Sequence, residues 1–144
     1  MTSSIKFYSE SISPQVRKKK TLKKWICQVI ANENKNTGPI SIVLCDDQYL
    51  HSMNVKYLDH DTYTDIITFD YSENDMVSGD LFISFERVKE NAKKAKTTVP
   101  NELHRVIIHG VLHLCGYKDK QDEDQKLMTK MENKSLNKLE ALIA

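Results

Sequence analysis

The stretch Val106–Tyr117, VIIHGVLHLCGY, limits the fold of this chain more than any other part of its sequence. It holds no Asp, Glu, Lys or Arg, in a chain where 28% of residues are charged. An apolar surface of that extent has to leave water on nearly every side, so the segment is expected to be a buried helix with other elements laid around it. Two imidazoles interrupt it. His109 and His113 are four residues apart. That places them on one helix face, one above the other, at the spacing with which two His reach a single metal ion. Gly116 falls where a helix ends in a left-handed residue. A reversal there sends Tyr117-Lys118-Asp119 back toward the histidine face and delivers a third ligand.

A bare H-x-x-x-H is more often a pair of core histidines satisfied by backbone or side-chain partners. The longer pattern here, H-x-x-x-H-x-x-G-x-x-D, is considerably more specific. It has the spacing of the metzincin signature, with Asp119 in place of the third His. One residue separates it from a metalloprotease. In H-E-x-x-H the Glu is the general base that activates the metal-bound water. That position is Gly110, which carries no such group and which suits close approach of another element.

Around this helix the periodicities predict the order βαβαββααα. Ile5 and Phe7 alternate with polar neighbours, as in a short strand. Ser13-Pro14 offers an N-cap with Pro at the first helical position, and Leu22, Trp25, Ile26, Val29 and Ile30 carry that helix to about Asn32. A turn over Asn34–Gly38 leads to a strand beginning at Ile40. Asp46-Asp47 can cap a second helix bearing Leu50, Met53, Tyr57 and Leu58. Strands are predicted at Asp65–Tyr71 and Asp80–Phe85 with a polar Ser72–Gly79 loop between them. Helices follow at Glu86–Lys96, Pro100–Cys115 and within Gln121–Ile143. The fold class is therefore α+β: a small mixed four-stranded sheet with helices packed on it, one of them the zincin-like metal-site helix. Residues 1–144 are read as one domain, by length and by the lack of any repeat or linker.

Composition excludes several classes. No apolar run approaches the roughly 20 residues needed to span a bilayer, and the start Met1-Thr2-Ser3-Ser4-Ile5-Lys6 lacks the features of a signal peptide. Cys27, Cys45 and Cys115 are odd in number and far apart, so a reducing cytoplasm is expected.

HGVLHLCGY resembles the HGxLHLxGYDH motif of the YbeY family, with both histidines and both glycines in register. Met53-Asn54-Val55-Lys56-Tyr57 through Tyr63-Thr64-Asp65-Ile66-Ile67-Thr68-Phe69 is similar to that family's LNxxYR…TDVLSF segment, and Gly79-Asp80-Leu81 to its GDI. The resemblance covers roughly residues 50 to 135. It implies a single-strand-specific, metal-dependent endoribonuclease acting in 16S rRNA 3′-end maturation and ribosome quality control. Its partner would be rRNA in the small ribosomal subunit. The family's third ligand His falls on Asp119, the Asp before it on Lys118, and the Arg after the family's Tyr on Leu58. Asp is an ordinary zinc ligand, so His109, His113 and Asp119 are expected to hold one divalent ion, zinc in the first place. The anionic oxygen lowers the ion's effective charge and favours harder ions such as Mn²⁺ more than three His would.

With Leu58 in place of the Arg, Arg105 is the substitute clamp for a scissile phosphate, one turn before His109; its plainer reading is a helix-end charge paired to Glu102. No general base is evident. A non-catalytic ribosome-associated factor and, less favoured because of Gly110, a zincin-type peptidase are the rival readings. Arg17, Lys18, Lys19, Lys20, Lys23 and Lys24 crowd the first helix and Lys89, Lys93, Lys94 and Lys96 another. Such clusters suit a passing phosphate backbone or a merely solvated face. Asp65 and Asp80, both at family positions, serve turns and backbone hydrogen bonds at least as readily as catalysis. Asp59-His60-Asp61 could bind metal but reads more readily as a polar loop, and Cys115 as packed rather than coordinating.

Overall fold

A computed structural model describes residues 4–60 and 62–143. Its elements follow the predicted order: β1 (Ile5–Glu10), α1 (Lys19–Asn32), β2 (Asn36–Cys45), α2 (Asp47–Leu58), β3 (Ile66–Asp70), β4 (Met76–Ser84), α3 (Phe85–Lys94), α4 (Val99–Leu114) and α5 (Asp122–Ile143). The sheet runs β1-β2-β4-β3; β1, β2 and β4 are parallel and β3 is antiparallel to β4. The mixed four-stranded sheet and α+β class stand as expected. Residues 1–3, Asp61 and Ala144 lie outside the described residues, and with them part of the N-terminal and Asp59–Asp61 readings.

Alternation of side chains divides the sheet into two faces. Ile5, Ile40, Ile42, Leu81 and Ile83 point to one face and are essentially unexposed beneath α1, α4 and α5. The other face, with Cys45, Ile67, Phe69 and Phe82, is met by Tyr49, Leu50 and Met53 of α2. Helix α4 lies at the centre of the first face. Leu103, Val106, Ile107, Ile108, Val111, Leu112 and Leu114 are all buried along it. A β-carbon on Gly110 would come within 2.8 Å of Ile66 Cδ1 and 2.9 Å of Leu81 Cδ2, so this glycine lets the helix settle onto β3 and β4. Thr98 caps α4 by accepting from Asn101 N–H at 3.2 Å, and Asp46 caps α2 through Tyr49 N–H at 2.8 Å, the latter as the sequence predicts.

Two boundaries differ from the sequence reading. Ser13-Pro14 does not start α1. Ile12, Pro14 and Val16 are half-buried while their neighbours are exposed, and Val16 packs on the core, so this stretch runs extended. The helix begins only after Lys18, whose φ of 59° reverses the chain. The second difference is shared by two strands. β2 starts at Asn36 and β4 at Met76, both earlier than expected, because Asn36 pairs with Met76 and Thr37 with Val77. A register shift then falls between Thr37 and Ile40. Local turn signals gave way to pairing between segments distant in sequence.

Candidate metal centre

The last turn of α4 and the residues after it build the site. Gly116, at φ +109°, makes the reversal; nothing lies within 4 Å of where its β-carbon would be, so backbone conformation rather than space calls for glycine. The returning strand is pinned twice. Tyr117 Oη donates to Glu33 Oε1 at 2.8 Å, and Tyr117 C=O accepts from His113 Nδ1 at 2.9 Å. Burial, with Glu33 beside it, pushes the Tyr117 phenol up to about 12, so it stays a donor. Asp119 is thereby brought to the histidine face.

His109 Nε2 and His113 Nε2 are 3.1 Å apart, and Asp119 Oδ2 is 3.1 Å from the first and 3.2 Å from the second. The protons on the far side of each ring decide what this triangle means. A carbonyl only accepts, so His113 carries its proton on Nδ1. Glu132 Oε2 lies 2.6 Å from His109 Nδ1 and places the proton there likewise. With the rings neutral, as metal binding requires, each Nε2 presents a lone pair, and a carboxylate oxygen joins them. Three electron-pair donors facing one point repel unless a proton or a metal cation sits among them. The spacing fits: ligands about 2.0–2.1 Å from a tetrahedral ion stand about 3.3 Å from one another. His109, His113 and Asp119 could thus hold a metal ion, as the sequence predicts.

Further groups close the site. Glu132, from the middle of α5, is only 7% exposed, and it bonds both His109 and Arg105 (Nη1 to Oε1, 2.9 Å). Arg105 Nη2 also donates to Asn133 Oδ1 at 2.8 Å. Arg105 is paired across to α5 and not to Glu102. Asp65 enters from the α2–β3 loop and is close enough for its charge to act on His109 and Glu132. Burial raises its carboxyl above the usual range, and the nearby His109 only partly offsets this. Burial pulls His109 down, but Glu132, Asp119 and Asp65 outweigh it and leave the imidazole above its ordinary value.

Asp65 is held where it is by its own loop. Asn54, buried, donates from Nδ2 to Thr62 C=O at 2.9 Å, His51 stacks on Tyr63, and Asp65 C=O accepts from Ser84 N–H at 2.9 Å. Arg87 lies over Tyr63 and grips Asp47 through two hydrogen bonds. Elsewhere, Asp80 and Tyr71 lie on the α2 face of the sheet, away from this cluster. Asp59 and His60 are exposed, and Leu58 is 40% exposed at the end of α2. Cys115 is buried with its thiol pushed up to about 12 by desolvation, so it packs and does not coordinate. Glu132 is the residue that sequence reading missed. Its signal was an acid in the buried stripe Met128, Glu132, Ser135, Leu139 of α5.

The family profile described as Endoribonuclease YbeY matches residues 5–140. The chain belongs to this family. It is 52% identical over 112 residues to the Endoribonuclease YbeY of Flavobacterium johnsoniae, covering 78% of this chain and 81% of that protein. To the Endoribonuclease YbeY of Porphyromonas gingivalis (strain ATCC 33277) it is 47% identical over 140 residues, 96% of this chain and 92% of the relative. Among solved structures, the solution structure of TM1509 from Thermotoga maritima superposes with a TM-score of 0.67 at 27% identity, covering 94% of this chain and 88% of that one.

Proposed function

We propose that this protein is a metal-dependent endoribonuclease that cuts single-stranded RNA, and that it acts in the cytoplasm on the 3′ end of 16S rRNA within the small subunit. Convergence of His109 Nε2, His113 Nε2 and a carboxylate oxygen of Asp119, in a chain of the endoribonuclease family, carries the reading. Zinc is the ion of choice for two imidazoles and one carboxylate with a position left for water. Bound there, it would polarise a phosphodiester oxygen or lower the pKa of a water.

The remaining steps belong to side chains. Glu132 keeps the His109 proton on Nδ1, and the Tyr117 carbonyl does the same for His113, so both rings offer Nε2. Asp119 is used as a ligand and Glu132 on His109 and Arg105. Asp65 is left as the carboxylate to accept a proton from the attacking hydroxyl, and its raised pKa brings it nearer the range of an effective base. Arg105, the sequence candidate for a phosphate clamp, has Nη1 and Nη2 engaged on α5. In this reading it contributes by neutralising Glu132, a positioning role. Gly110 lies against Ile66 and Leu81, which speaks against a peptidase with its base at that position.

The test pairs elemental analysis with cleavage of a fluorescent single-stranded RNA. Wild type should carry about one ion per chain by the three-ligand argument, and His113→Ala should lose ion and cleavage together. Cleavage that survives loss of the ion, or a fully loaded protein that cuts no RNA, would overturn the assignment; the second outcome would leave the metal as a structural pin.

A further inference from the structure

The charged residues of this chain are sorted by region. Arg17–Lys24 holds six cations in eight residues, and no acid occurs from there to Asn32. On α5, Lys126, Lys130, Lys134 and Lys138 recur every fourth residue, and the only acid between Gln125 and Leu139 is the buried Glu132. By contrast, the stretch from Cys45 to Asp80 carries nine acids and one cation, Lys56. A net charge of +1 conceals this separation.

The two basic segments are neighbours in space. Trp25 Nε1 of α1 donates to Ser135 C=O of α5 at 2.7 Å, so the two helices lie side by side as an outer layer. Both bury their apolar stripes inward: Leu22, Trp25, Ile26, Val29 and Ile30 on α1, Met128 and Leu139 on α5. Lysines dominate what they leave outside, beside the exposed Leu127 of α5. Lys20, Lys24, Lys130 and Lys134 are exposed, and none of them has an acidic partner within 4.0 Å among the described residues.

A face kept only for solubility interleaves both signs. This one instead accepts like-charge neighbours four apart, Lys20 with Lys24 and Lys130 with Lys134, which destabilise a helix. With the apolar stripes already in the core, no hydrophobic face is left to enter a bilayer. Compact ammonium charges without a surrounding apolar patch suit a polyphosphate backbone. The layer also adjoins the metal centre, since α5 begins three residues after Asp119, which exposed Lys118 and Lys120 flank. At 1.5 Å per residue, α5 extends about 33 Å from that point.

We propose that the joint outer face of α1 and α5 binds the phosphate backbone of the RNA substrate away from the bond that is cut. The inference rests on RNA being the substrate. It adds a second binding region on the helical side of the sheet and leaves the acidic α2 side turned from the RNA.

The experiment measures anisotropy of a 2′-O-methyl RNA, a hairpin with a single-stranded tail, which binds but is not cleaved. Wild type is compared with a Lys20→Glu/Lys24→Glu/Lys130→Glu/Lys134→Glu variant and with the corresponding Gln variant. Lys89→Glu/Lys93→Glu/Lys96→Glu on and after α3 is the control. The α1/α5 Glu variant is expected to bind at least tenfold more weakly. Its log-affinity against log-salt slope should be shallower by about 0.7 for each phosphate that the lysines no longer neutralise. The Gln variant should fall between, and a tetranucleotide should be cut at the wild-type rate. Unchanged affinity and slope, an equal weakening in the α3 control, or loss of binding to phosphatidylserine vesicles with RNA binding intact would overturn the proposal. The Gln variant keeps the test valid should charge reversal impair folding. Failure of the nuclease reading looks different: salt-sensitive binding abolished in the α1/α5 variants, with no cleavage by any form.

Discussion

The two faces of the β-sheet are finished differently, and the difference separates what holds the protein together from what it leaves open. On one face Ile5, Ile40, Ile42, Leu81 and Ile83 disappear beneath three helices, and the helix bearing His109 and His113 is the most deeply buried of them. On the other, α2 covers only part of the sheet. Tyr49, Met53, Phe69 and Phe82 stay partly open, and with Tyr57 and Tyr71 they line a cleft of about 910 Å³. The metal centre is therefore built on the rigid side. Its histidines inherit their positions from core packing, and its acids come in from the edges.

The largest effect that would sharpen this contrast is on stability. Ile107→Ala, in the fully buried stripe of α4, should cost about 4 kcal/mol, and Met53→Ala on the open face about 1 kcal/mol. Denaturant titration of the two variants measures both, and equal losses would mean that α2 seals its face as tightly as α4 does. Next comes the link between edge and core. Glu132→Gln keeps the volume but withdraws the carboxylate from His109, and should weaken zinc binding about 10- to 100-fold. Competition against a chromophoric chelator reads this directly, and an unchanged affinity would mean that core packing alone orients the ring.

The smallest effect concerns Asp65. Its carboxyl is raised by burial, so in the window between the unfolded and folded pKa values the native state binds the extra proton. Stability must then fall as pH rises through that window and level off above the folded value. Asp65→Asn should accordingly be more stable than wild type at neutral pH, with the gain vanishing below the unfolded pKa, while RNA cleavage declines. Thermal melts of the metal-free protein across acid to neutral pH test the sign; a variant less stable at every pH would instead make Asp65 a structural carboxylate.

How far sequence reading reached follows the same division. Within α4 and its reversal, ligand spacing is local: four residues of helix, a glycine, and a short return place His109, His113 and Asp119 together without help from the rest of the chain. Element order was legible for a similar reason, since apolar stripes such as Leu22-Trp25-Ile26-Val29 report burial directly. What depends on distant segments was not. Glu132 reaches His109 only because α5 packs on α4, and Asp65 only because Asn54 ties down its loop. The early starts of β2 and β4 are one event, the pairing of Asn36-Thr37 with Met76-Val77, which neither segment announces alone. At Ser13-Pro14 a good capping signal was outweighed by Val16 packing onto the core.

The indole bond that joins α1 to α5 has a practical consequence. Trp25 is the only tryptophan of the chain, is wholly buried, and meets the His104 ring edge-on at 6.3 Å. Its fluorescence is a built-in reporter on the seam between the two outer helices. Emission should be blue-shifted while the seam is closed and move to the red when α1 lifts from α5, without any label being attached. Loosening of the helical layer, by heat or by a ligand on its lysines, can thus be followed separately from events at the metal centre.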